Sequence, residues 1–121
     1  MPTETVTIEI DRLRVHARHG VMAQERTVGN EFEVSLSLEY PAAGAVDTDD
    51  LDQTLNYAEV CAVVKEVMAI PSQLLEHVCG RIRAALLDRF PLIRSGSITV
   101  AKPAPPIPNA QLRRVSVTLR F

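Results

Sequence analysis

Residues 31–40 read EFEVSLSLEY. Phe32, Val34, Leu36, Leu38 and Tyr40 alternate with Glu31, Glu33, Ser35, Ser37 and Glu39. Successive strand side chains point to opposite faces, so a period of two predicts a strand with one buried face and one polar face. Upstream, Val6, Ile8 and Ile10 show the same alternation, which resumes as Leu13, Val15 and Ala17 after a shift of one residue at Asp11-Arg12. One extra residue reverses the phase of a strand, and a β-bulge restores it. The first strand is therefore expected over about Val6 to Ala17. Between the two strands, residues 19–30 (HGVMAQERTVGN) are expected to form a loop. It is longer than a tight hairpin requires, and long loops in small domains often carry function.

Downstream, residues 41–55 (PAAGAVDTDDLDQTL) are polar and turn-rich. Asn56 is a good N-cap, with Glu59 three positions on in a capping-box-like arrangement. Val60, Val63, Val64, Val67 and Met68 then follow the spacing of one helical face, and Pro71 ends the helix. Ser72 is placed to cap a second helix reaching about Phe90, with Leu75, Val78, Cys79, Ile82 and Leu86 as its apolar face and Pro91 as its stop. Ile98 and Val100 mark a third strand ending near Lys102. Val115, Val117, Leu119 and Phe121 mark a fourth. The connection between them, KPAPPIPNAQLRR, holds four of the eight prolines. It cannot pair as a central strand, yet it is stiff and would hold the Lys102 end of its strand in place.

The order β-β-α-α-β-β predicts an α+β fold, a four-stranded, mainly antiparallel sheet with two helices on one face. Its 121 residues fit one domain, taken as 1–121. Such a sheet leaves two open edges, and nothing in RVSVTLRF blunts the last strand. Association edge to edge into a closed barrel would remove both edges, so a homo-oligomer is expected.

With 46% hydrophobic and 23% charged residues the chain can build a packed core. Its net charge is −2 and its thirteen Lys and Arg residues are scattered, which argues against a nucleic-acid partner. No apolar run approaches a membrane span, and MPTETVTIEI lacks the features of a secretory signal. A cytoplasmic location is expected. Cys61 and Cys79 lie in apolar helical patterns and read as small buried hydrophobes rather than a disulfide.

Four segments, HGVMAQERTVGNEF (19–32), TLNYAEV (54–60), LLEH (74–77) and KPAPPIP (102–108), resemble in order and spacing the dihydroneopterin aldolase family. The resemblance covers nearly the whole chain from Ile8. Each motif alone is weak, and together they are specific. Two positions depart from the family pattern. The usual Gly-Gln-x-Phe is here Gly29-Asn30-Glu31-Phe32, and Asn56 precedes the tyrosine where Asp or His is common. Both are read as scaffold changes. The resemblance implies the tunnelling fold, in which four subunits close a β-barrel, two rings stack into an octamer, and active sites lie between subunits. It also implies a retro-aldol reaction that splits 7,8-dihydroneopterin into 6-hydroxymethyl-7,8-dihydropterin and glycolaldehyde, with C2′ epimerisation as a secondary activity.

Residue by residue, Lys102 matches the catalytic lysine. The reduced pterin carries its own electron sink, a conjugated C=N, so a Schiff base is unnecessary and the lysine need act only as a general acid/base. Burial or a neighbouring cation would tune it for that task. Its plain alternative is a surface lysine at a strand end. Glu76 matches the pterin anchor, whose carboxylate accepts two adjacent N–H groups of the 2-amino-4-oxo pyrimidine. The alternative is a solvated first-turn glutamate favoured by the helix dipole. The Leu75 backbone shares the pterin contact. Glu25 matches the loop glutamate that binds the side-chain hydroxyls or holds a catalytic water; otherwise it is a loop carboxylate in water. Tyr57 matches the tyrosine that packs on the substrate from a neighbouring subunit; otherwise it covers the core at a helix start.

Neither a metal nor a cofactor is expected. His16 and His19 stand three apart, there is no H-x-H pair, and His19-Gly20 is read as shaping the loop. Two alternatives remain beside the aldolase. One is the epimerase acting on dihydroneopterin triphosphate, which would need a more basic pocket than Arg26 and Lys102 supply. The other is a non-catalytic pterin- or purine-binding module of the same fold.

Overall fold

The computed structural model describes residues 4–41, 44–105 and 107–121. Residues 1–3, Ala42 and Ala43 of the turn-rich segment, and Pro106 of the proline-rich connection lie outside the described residues. The elements run β1 (Thr5–Ala17), α1 (Ala23–Val28), β2 (Asn30–Pro41), α2 (Ala45–Thr48), a 3-10 turn at Leu51–Gln53, α3 (Tyr57–Met68), α4 (Leu75–Arg89), β3 (Ser95–Pro103) and β4 (Arg114–Arg120). The four strands form one sheet in the order β1-β2-β3-β4, antiparallel at every pairing.

The bulge falls where the alternation shifts. Ile10 pairs with Leu36 and Leu13 with Val34, so β1 carries one residue more than β2 between them. Arg12 takes a left-handed conformation (φ 60°), and its N–H donates to Ser35 Oγ at 3.0 Å. The extra residue returns Leu13 and Val15 to the face of Ile8 and Ile10, and all four pack against the core.

That core is built by the apolar face of β2, from Phe32 to Tyr40, against Val60, Val63, Val64 and Met68 of α3 and Leu75, Val78, Cys79, Ile82 and Leu86 of α4. Burying one such Leu, Val or Phe contributes about 1.5–3 kcal/mol. Helix α3 packs over β1, and α4 over β3 and β4. Asn56 caps α3, its Oδ1 accepting the Ala58 N–H at 3.0 Å. No helix of the described residues is long and apolar enough to cross a membrane.

Two expectations need correction. The 19–30 segment is not all loop: six residues of it form α1, closed by Gly29. A helix of fewer than two turns leaves no periodicity to read, although Gln24, Glu25 and Arg26 are good helix formers. Short helix α2 and the 3-10 turn lie likewise inside the turn-rich segment. Ser72 does not cap α4, which starts at Leu75 with Leu74 as its N-cap. The Ser72 hydroxyl is engaged elsewhere: Arg81 Nε donates to it at 3.1 Å, and it lies 2.8 Å from His77 Nδ1.

Candidate active site

Lys102 is the penultimate residue of β3, paired with Val115 of β4. Its Nζ contacts Glu25 Oε2, and the two side chains are only 13% and 15% exposed. The charge beside Lys102 is the Glu25 carboxylate and not the neighbouring cation that the sequence reading allowed for. Beneath the pair lies the Phe32 ring, its centroid 5.9 Å from Nζ, within the range of a cation–π contact.

Glu25 is held by its own helix. Its Oε1 accepts the Met22 N–H at 3.3 Å, closing the first turn of α1, while Oε2 faces Lys102. Arg26 fastens the preceding loop, donating to the carbonyls of Val21 at 2.7 Å and Gly20 at 3.3 Å. Gly20 lies at φ +154°, and a Cβ there would stand 2.6 Å from the Glu25 carboxylate carbon and Oε1. Only a residue without a side chain lets the carboxylate fold back to reach Lys102. Gly20→Ala should therefore lower turnover on the order of 10- to 100-fold by displacing Glu25. Unaltered steady-state kinetics in that variant would show that the glutamate does not need its present position.

Lys102 is steadied from behind by Asn30. Its Nδ2 donates to the Pro103 carbonyl at 3.1 Å and its Oδ1 accepts the Glu31 N–H at 2.8 Å. Asn30 thus clamps the start of β2 to the residue after Lys102, a more direct part in the site than the scaffold role read from sequence. The amide retained at this position was the available signal.

His19 joins the remaining elements. It is 1% exposed, its Nδ1 accepts the Ser72 N–H at 3.0 Å, and the Gly20 N–H donates to Ser72 O at 3.0 Å. Its ring meets Phe32 edge-on at 5.2 Å. With Nδ1 accepting, the proton of the neutral ring sits on Nε2, which has no hydrogen-bond partner among the described residues. Burial, then the positive charges of Arg81 and Lys102, lower its pKa to about 4. Arg81 also closes the α3–α4 connection, donating to the carbonyls of Val67 at 3.2 Å and Ile70 at 2.6 Å.

A cleft of about 280 Å³ opens over the ion pair, walled by Leu75, Pro105, Ile107, Val115 and Met22, with Glu25 and Lys102 at its polar end. Lys102, Glu25 and Leu75 are thus brought together. Glu76 follows Leu75 on the exposed side of the first turn of α4. Tyr57 stands apart. It is 66% exposed at the first residue of α3. It lies at the end of α3 away from residues 69–74, which lead into α4, and it is not among the residues that line the cleft.

The dihydroneopterin aldolase (FolB) family model matches residues 8–120. The chain belongs to the dihydroneopterin aldolase family. It is an enzyme with the aldolase function of that family in folate biosynthesis. A dihydroneopterin aldolase of Bacillus subtilis is 35% identical to it over 103 residues, 84% of this chain and 86% of the relative. Among solved structures, the E. coli dihydroneopterin aldolase in complex with neopterin superposes with a TM-score of 0.86 at 23% identity, covering 96% of this chain and 98% of that one. The guanine-bound dihydroneopterin aldolase of Burkholderia thailendensis gives 0.77 at 19% identity, covering 97% and 90%. At these identities the structures establish that this aldolase shares their fold.

Proposed function

We propose that the cleft over the Lys102–Glu25 pair performs the retro-aldol cleavage of 7,8-dihydroneopterin. The observation that carries this reading is a mostly buried acid/base pair at the polar end of an apolar cleft sized for a bicyclic ring. A base removes the proton of the C2′ hydroxyl and the C1′–C2′ bond breaks. Its electrons enter the conjugated C=N of the reduced ring, whose nitrogen takes a proton. Glycolaldehyde leaves, and protonation at C1′ with loss of the proton from the ring nitrogen restores the C=N and gives 6-hydroxymethyl-7,8-dihydropterin. Lys102 and Glu25 are the groups placed to move these protons, directly or through water. Because the substrate contains its own imine, Lys102 has no Schiff base to build and no cofactor enters the scheme.

Leu75 and Glu76 form the pterin anchor in this reading. Neopterin and guanine, bound by two proteins of this fold, share the 2-amino-4-oxo pyrimidine edge that a carboxylate accepts side by side. Tyr57 reaches the ring from a neighbouring subunit, which accounts for its absence from the lining of its own chain's cleft. The site then requires an oligomer. Strands β1 and β4 are the two edges of the sheet, unpaired on their outer sides among the described residues, and joining them between copies closes a barrel. The unit is a single domain over 1–121 acting in the cytoplasm, four copies to a ring and two rings to an octamer. Light scattering should give a particle several-fold larger than 13.3 kDa. A fully active monomer at micromolar concentration would refute both the barrel and the shared site.

The charge of the site favours the aldolase over the triphosphate epimerase. The site segments offer two cations, Arg26 and Lys102; Nη1 of Arg26 already donates to the Gly20 and Val21 carbonyls and Lys102 faces Glu25, a poor provision for a triphosphate. A non-catalytic module would have no use for the Lys102–Glu25 pair. The deciding experiment is incubation with 7,8-dihydroneopterin, followed by chromatography of the pterins and an assay for glycolaldehyde. The C2′ epimer is expected as a minor product. Unchanged pterin with no aldehyde released would overturn the reading.

A further inference from the structure

Glu25 lines two clefts. Beyond the one shared with Lys102, a second of about 270 Å³ borders Glu25 and Met22 and is lined besides by Gln24, Val28, Gly29, Asn30 and Ala104. We propose that this second cleft is a compartment for a two-carbon hydroxyaldehyde, the fragment released from the substrate side chain. The inference rests on the retro-aldol reading and deepens it.

The two clefts differ in chemistry. The first has apolar walls from Leu75, Pro105, Ile107 and Val115, which suit a flat ring. The second counts Gln24, Glu25, Gly29 and Asn30 among its lining residues, a more polar set that suits a short chain bearing hydroxyl and carbonyl oxygens. Its volume is ample, since water occupies roughly 30 Å³ per molecule and glycolaldehyde has only four heavy atoms. The position is also right. Glu25 and Met22 line both clefts, so a substrate with its ring in the first extends its terminal carbons past Glu25 into the second. When the C1′–C2′ bond breaks there, the aldehyde already lies in its own compartment. How long it stays sets the outcome. An aldehyde that leaves gives cleavage, and one that turns over and is attacked again by C1′, with the ring nitrogen giving up its proton and the C2′ oxygen regaining one, gives the epimer.

Val28 is exposed at the last residue of α1 and Gln24 near the first, so substitutions at either spare the packed core. The reaction is run backwards, from 6-hydroxymethyl-7,8-dihydropterin and glycolaldehyde. Val28→Phe, which fills the second cleft, should raise the KM for glycolaldehyde about tenfold or more. The affinity for 6-hydroxymethyl-7,8-dihydropterin, read by fluorescence titration, should stay within twofold. In the forward direction the epimer should fall as a fraction of total product. Gln24→Ala should change the same quantities in the same direction by a smaller factor. A glycolaldehyde KM unchanged in both variants, or a parallel loss of pterin affinity, would overturn the compartment. Failure of the parent enzyme to cleave dihydroneopterin at all would instead overturn the retro-aldol reading beneath it, and that result precedes any variant.

Discussion

Lys102→Ala should lower kcat by on the order of 100- to 10,000-fold while pterin binding survives, the range a positioned acid/base group contributes. The structure argues for this split. Lys102 sits at the polar end of its cleft, whereas the apolar walls come from Leu75, Pro105, Ile107 and Val115, which the substitution leaves in place. Loss of the ammonium also strands the Glu25 carboxylate, itself only 15% exposed, so some loss of stability should accompany the loss of rate. Circular dichroism and a urea midpoint separate the two effects. Glu76→Ala should show the opposite profile, losing affinity first, because two charge-assisted hydrogen bonds to the pyrimidine vanish at roughly 1.5–3 kcal/mol each. If Lys102→Ala turned over at nearly the parent rate, or if both variants lost only affinity, the division of labour between the two residues would be wrong.

What could be read from sequence follows from which forces act locally. The alternation in β2 and its interruption at Asp11-Arg12 are products of strand geometry, so the bulge was legible before any coordinates. The apolar faces of α3 and α4 were legible for the same reason. The Asn56 cap was legible because it works within two residues of itself. Three features were not. Helix α1 is too short to show a period. Ser72 looks like a cap until Arg81, nine residues on, claims its hydroxyl, and that claim depends on how α3 and α4 pack. The Lys102–Glu25 contact spans 77 positions and the Asn30–Pro103 clamp 73. No local pattern predicts such pairs, and only the family resemblance pointed to the first. Tyr57 shows the reverse limit: it is not among the residues lining the cleft of its own chain, and the expectation that it serves a neighbour's site comes from resemblance alone.

Acid should unfold this protein through His19. In an unfolded chain an imidazole titrates near 6.5, and in the fold burial, Arg81 and Lys102 lower His19 to about 4. The unfolded state therefore takes up the proton first. The stability contributed by the neutral ring is complete above pH 6.5 and is lost as pH falls from there to about 4. Each unit of separation is worth about 1.4 kcal/mol, so the loss over the window is about 3 kcal/mol. The geometry gives the same sign. Nδ1 accepts the Ser72 N–H, so a second ring proton must break that bond and place a cation against Phe32 with no acceptor at Nε2 among the described residues. The functional consequence is wider than one bond. The clasp between His19-Gly20 and Ser72 fixes the loop leading to Glu25 and the turn leading to Leu75 and Glu76, so its loss loosens the acid/base pair and the proposed anchor together. Urea midpoints at pH 7, 5 and 4 test this when the parent is compared with His19→Asn. The variant lacks a titrating ring while keeping an acceptor for the Ser72 N–H. It should be less stable than the parent at pH 7 and lose less on acidification, since the carboxylates common to both cancel in the difference. Parallel pH profiles for the two proteins would remove His19 as the acid-sensitive group.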